Sequence, residues 1–230
     1  MKNTIEENSF NGILIRGKGN KSLVFSNEII NYNGFAGIHI DKKATPMINN
    51  NKIGNNSNQG ILIVTDSSAK IEENEIYGNV KGNIAFGGMG SENTVIRANR
   101  ISGARSEGIY VIKAKGGKIL HNEIYNNNDG LVIANSEITV LENNIYNNIR
   151  TGVIICEGSK PNFVQNNIHN NQFLGMMVRE NSKGRYIGNI FKFNISQFFL
   201  SENCSDLLED LNSHNTIEGR IDVKSKCSIF

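Results

Sequence analysis

The residues of this 230-residue chain that could move a proton or hold a metal are few and spread out. Its histidines are His39, His121, His169 and His214, at spacings that match no ligand set. Its cysteines, Cys156, Cys204 and Cys227, form neither a metal nor a disulfide pattern. No metal and no cofactor is therefore expected. General acid–base work needs two groups within reach of one bond. The two candidates in equivalent places are His39 and Tyr110. They sit three sequence repeats apart, about 14 Å if the repeats are stacked β-coils. No catalytic residue is assigned on that basis.

The elements that must position these residues come from a repeat. G-I-x-I, followed about a dozen residues later by N-x-I, returns every 21 to 26 residues. The glycines run Gly12, Gly37, Gly60, Gly82, Gly108, Gly130, Gly152 and Gly175; the asparagines run from Asn8 and Asn27 to Asn189. Such a period marks a solenoid, because one unit cannot bury its apolar face alone. Apolar residues two apart lie on one face of a strand. Four inward columns follow: Ile13 to Met176, Ile15 to Val178, Val24 to Tyr186, and Phe10 and Ile29 to Phe191. β-Branched residues dominate and no 3.6-residue period appears within the repeats. The expected fold is all-β, a single-stranded right-handed parallel β-helix of about nine coils, a rod of roughly 45–50 Å. Turn asparagines tolerate the left-handed region and can bond one another coil to coil. A second such ladder is visible at Asn56, Asn79, Asn127, Asn148 and Asn171. A leucine-rich repeat is rejected, because the run before Ile119 lacks its upstream leucines.

Residues 1–200 read as β-helix repeats and 201–230 as a C-terminal cap and tail, with a short helix near Ser205–Leu211 and a last strand near Gly219–Val223. Ile5, Asn8 and Phe10 already occupy repeat columns, so the first rung is expected to be uncovered. The repeat resembles that of the parallel β-helix proteins, over roughly residues 2–200. These include carbohydrate-active enzymes of the pectate-lyase type and non-enzymatic scaffolds such as the β-helix regions of F-box-only ubiquitin-ligase adaptors. The resemblance implies fold more than function, since one scaffold hosts both classes. The Asp-Pro-His-Asp motif of alginate epimerases and the clustered aspartates of pectinases are absent from the sequence.

With catalysis unsupported, the outward residues carry the functional reading. The first strand's outward column is Leu14, His39, Leu62, Ala85, Tyr110, Val132, Ile154 and Met177. A solvated strand should be polar there, so this column is read as a protein-partner face. The third strand's outward column, Tyr77, Tyr125, Tyr146 and His169, is a secondary aromatic site that could stack on a sugar or a partner. Thirteen cations and six acids lie on the connections between first and second strands, a basic edge suited to an acidic protein surface. Net charge of +2 argues neither for nor against nucleic acid, and with no interleaved aromatic motif to support one, no nucleic-acid partner is expected.

Cys227-Ser228-Ile229-Phe230 matches C-a-a-X, making Cys227 a candidate prenylation site and a membrane tether. No apolar run is long enough to span a bilayer and the first residues carry no signal-peptide core. The odd cysteine set suits a reducing, cytoplasmic compartment. The expected function is a non-catalytic interaction scaffold, within a larger assembly or longer chain. The alternative is a divergent carbohydrate-active enzyme (lyase, epimerase or hydrolase) or a carbohydrate-binding protein.

Overall fold

A computed structural model describes residues 2–27 and 29–223. The described residues wind into about ten coils, close to the nine expected, with three parallel sheets running the length of the rod. The first-strand and third-strand sheets have ten strands each and the second-strand sheet eight. Every coil stacks in register on the next, so that Ile109, Leu131, Val153 and Met176 are successive partners. The same holds for Ile96, Ile119, Val140, Phe163 and Tyr186. These columns are fully buried and form one continuous core. Identical β-branched side chains stacked at the coil spacing fill it without a helix on either face.

The corners are built differently from the reading by residue type. The ladder asparagines are not the residues in the left-handed region. That role falls to the residue just before each one, such as Asn50, Glu73, Ala98, His121, Glu142 and Gln165, all with φ between 53° and 56°. The corner itself imposes this turn, whatever side chain stands there. Each asparagine that follows then points its amide inward and bonds up the rod. In the first ladder Asn51, Asn74, Asn99, Asn122, Asn143 and Asn166 each donate Nδ2 to the next residue's Oδ1 at 2.9–3.0 Å. A third, shorter ladder of Ser136, Ser159 and Ser182 closes the turn between first and second strands.

Two positions depart from the expected phasing in the first coils. The inward residue is Ile30, not Ile29, and it pairs with Ile5 and Ile53. The inward isoleucine stands three positions after Asn27, against two positions after the asparagine elsewhere, and adjacent isoleucines hide that shift in a hydropathy pattern. Phe10 is correspondingly outside the core, 76% exposed. Asn3 begins the first ladder by bonding Asn27, while Asn8 belongs to the second ladder and bonds Asn33.

At the far end a helix, Leu207–His214, replaces the second-sheet strand of its coil. It buries Leu207 and Leu211, together with Cys204, against the last second-sheet strand, Arg185–Ile187. Asn215, immediately after it, accepts from Asn189 and donates to Tyr186 O and Leu211 O, which closes the first ladder. Strands Thr216–Glu218 and Ile221–Val223 then add to the third and first sheets. Among the described residues no helix is long and apolar enough to cross a membrane. Cys227 lies outside the described residues.

Candidate functional site

The first sheet has the longest strands, reaching six residues in Gly82–Gly87, Glu107–Ile112, Asp129–Ala134 and Thr151–Cys156. Its outward column forms one file in the order His39, Leu62, Ala85, Tyr110, Val132, Ile154, Met177 and Phe199. Leu14 begins the file beside His39. Phe199 extends it by a coil beyond the sequence reading. The file is less exposed than alternation suggests. Leu14 is exposed, but Val132 is buried and Leu62, Tyr110, Ile154 and Met177 are half-buried. Side chains stacked about 4.8 Å apart cover one another's flanks and leave a narrow ridge. A parallel outward column, Ile112, Ala134 and Cys156, widens it.

The polar groups of this face gather at its N-terminal end. Arg16 Nη2 lies 2.8 Å from Asp41 Oδ2, and Asp41 is buried. Burial alone would push the Asp41 carboxyl up, but hydrogen bonds from Arg16 and Thr65 outweigh it and hold the group below its ordinary value. His39 is held below its ordinary value mainly by desolvation, with Arg16 adding and Asp41 opposing. Its ring packs against Phe35, and Nε2 is buried without a hydrogen-bond partner. This end thus offers a neutral imidazole and a fixed ion pair. Burial pushes the Tyr110 phenol up, so it remains a neutral hydroxyl three strands away. His39 and Tyr110 are not brought together.

The third-sheet aromatics divide in two. Tyr125, Tyr146 and His169 stack face to face up the rod, with centroids 5.1 and 5.2 Å apart and planes within 7°. Arg100 lies against the outer face of Tyr125 and donates to its hydroxyl at 3.1 Å. The ring nitrogens of His169 sit 2.7 and 3.0 Å from the side-chain oxygens of Asn170 and Asn144. Both faces of Tyr125 and Tyr146 are therefore occupied, and these two rings show solvent their edges. Tyr77 leans the opposite way, over Gly54, and accepts from Asn31 Nδ2 at 3.2 Å.

On the basic edge, several cations are already paired: Lys43 with Asp66, Lys115 with Glu137, Arg179 with Glu180 and Lys183 with Asp206. An apolar patch missed by the strand columns lies at the corner after the second ladder. Ile149 and Ile195 follow ladder asparagines, and Phe173 and Phe193 adjoin them, all more than half exposed. The sequence signal was an isoleucine in a turn place where other coils carry Ser57 or Gln172. Among the described residues no three His, Cys, Asp or Glu side chains converge on a metal-sized site.

The chain belongs to the family described as right handed beta helix region, whose model matches residues 1–137. No curated protein sequence matches it. Among solved structures it is similar to the periplasmic alginate epimerase AlgG, at 16% identity and a TM-score of 0.69, covering 88% of this chain and 50% of that one. It is also similar to the A-module of the Azotobacter vinelandii mannuronan C-5 epimerase AlgE6, at 14% identity and a TM-score of 0.62, covering 92% of this chain and 69% of that one. The AlgE4 A-module gives 16% identity and a TM-score of 0.58, with 94% and 61% covered. The chain thus spans about half the length of the AlgG structure, and at these identities the likeness is one of fold.

Proposed function

We propose that this chain is a carbohydrate-binding β-helix of the carbohydrate-active class, whose ligand is an acidic polysaccharide lying along the rod. The observation that carries this reading is the extent of the fold likeness: an alginate epimerase and the A-modules of mannuronan C-5 epimerases superpose on 88–94% of the chain. Arg16, His39 and Tyr110 on the first-sheet face, and the cations beside it, supply the groups an acidic sugar chain would meet. The reading stops at binding. Turnover by a lyase, epimerase or hydrolase needs an acid and a base on one bond, and His39 and Tyr110 stand three strands apart. The test is affinity electrophoresis in gels containing alginate or a neutral glucan. Retardation by alginate that weakens with added salt is expected. Equal mobility in both gels would reject an acidic ligand.

A second reading, a protein-interaction scaffold, is favoured by the exposed corner patch of Ile149, Phe173, Phe193 and Ile195 beside the apolar first-sheet file. Exposed apolar side chains gathered on one edge mark interaction surfaces. The adaptor-like resemblance, the cytoplasmic setting and the Cys227 tether belong to this reading. Cross-linking the chain to a captured partner through this patch would test it.

A further inference from the structure

We infer that a groove between Lys21 and Lys70 is a subsite for the carboxylates of a 1,4-linked uronate chain crossing the coils obliquely. For the chemical class of its ligand this rests on the reading above, but it places the contact elsewhere, on the edge where the first-to-second connections enter the second sheet. The groove has a volume of about 380 Å³ and crosses four coils, with Lys21, Thr45, Met47, Ser68, Lys70 and Asn93 on its walls. Lys70 stands in register between Met47 and Val95.

Three observations point to an anionic, repeating ligand. First, the two ammonium groups form no ion pair among the described residues, whereas two of the nearby acids are committed and Glu92, beside Asn93, accepts from Gly90 N. Asp66 holds Lys43 and Glu72 holds Arg97. Second, the wall alternates function: buried Pro46 and Ala69 and half-exposed Met47 make an apolar floor for the C–H face of a pyranose, and Thr45, Ser68 and Asn93 supply hydroxyl and amide groups for its rim. Third, the two charges are spread over the rod. Lys21 belongs to the first full coil and Lys70 to the third, two coil spacings or about 9.6 Å apart along the axis. They do not share a column: Leu23 is the first-coil residue in line with Met47 and Lys70, and Lys21 stands two residues before it. A ligand that meets both therefore crosses the coils obliquely and carries at least two anionic groups, as an oligomer of uronates does and a single uronate does not. Each exposed charge contact is weak, so the affinity arises from both being made by one ligand.

The experiment uses the full chain and fluorescently labelled mannuronate hexamer, with binding followed by polarisation at low ionic strength. The parent should bind the hexamer more tightly than labelled mannuronate monomer, which cannot reach both lysines. The K21Q/K70Q double variant should bind the hexamer about tenfold more weakly. Lys113→Gln with Lys160→Gln removes the same charge from the same edge outside the groove and should stay within about twofold. All variants should melt with the parent, since the four side chains are exposed. If K21Q/K70Q binds like the parent, the groove is not the subsite, though acidic-polysaccharide binding itself stands. If both pairs weaken equally, only overall charge matters and the subsite is refuted. If a labelled single-stranded oligonucleotide binds as tightly as the hexamer, the groove is a general polyanion contact and the uronate assignment fails. If the parent binds no uronate oligomer, this inference and the proposed function fall together.

Discussion

In seven coils the repeat glycine stands where a Cβ would come within 2.6–2.8 Å of a second-ladder amide, as at Gly37 against Asn56 and Gly60 against Asn79. The glycine column and the ladder therefore depend on each other. One coil breaks both at once. The strand register places Asn83, not Gly82, in the glycine column, because Gly82 pairs with Gln59 and Ile84 with Ile61. The ladder position it should collide with is Ala104, which has no amide. Asn83 turns its own amide into the gap: it accepts from Asn79 Nδ2 at 2.8 Å and donates to Ser102 O at 2.9 Å and Asn127 Oδ1 at 3.1 Å. Asn83→Gly removes three hydrogen bonds, two of them fully buried, and leaves Asn79 Nδ2 only its long 3.5 Å bond to Ile53 O. At about 1 kcal/mol net per bond, the loss should be about 3 kcal/mol. Ala104→Asn alone should also destabilise, since its amide would enter space held by the Asn83 side chain. The two together restore the arrangement of the neighbouring coils and should return to within about 1 kcal/mol of the parent, a coupling of several kcal/mol by double-mutant cycle. Urea unfolding followed by circular dichroism measures each corner of the cycle. Additive losses would refute the exchange of one rung for the other.

Three further outcomes are expected. Ile119→Asp puts a carboxylate into a dry, fully buried column and should cost several kcal/mol, or prevent folding, by urea titration; a parental midpoint would contradict the column. On acidification, His39 and Asp41 should each destabilise the fold. Both are held below their ordinary values of 6.5 and 3.8, so their stabilising contribution is complete above those values and is lost as pH falls through the lower folded ones. His39→Asn should flatten the melting temperature against pH just below 6.5, and Asp41→Asn below 3.8; unchanged slopes would oppose the assignment. Val132→Lys with Ile154→Lys, both pointing away from the core, should fold nearly as the parent while losing any protein partner seated on the first-sheet file. Misfolding would show the file to be packed within the chain, and retained binding would move the partner to the corner patch.

Much of the architecture was legible in the sequence. A period of 21 to 26 residues with apolar places two apart admits one economical solution, stacked parallel coils, and inward columns such as Ile96, Ile119 and Val140 follow from counting. Both asparagine ladders follow too, because in-register stacking sets like residues one above another. Functional surfaces were less legible, because side chains there are placed by neighbours about 23 residues away that no local pattern records. The outward file was visible as residue types, but its narrow exposure comes from stacked neighbours shielding Val132 and Ile154. The aromatic column was visible as Tyr77, Tyr125, Tyr146 and His169, but only packing decides that Tyr77 leans over a glycine while the other three close face to face. The choice of Ile30 over Ile29 and the replacement of the Ala104 rung by Asn83 are likewise decisions of register, made where one coil meets the next. The groove between Lys21 and Lys70 exists only across such contacts, since its walls come from four coils and no single repeat contains it.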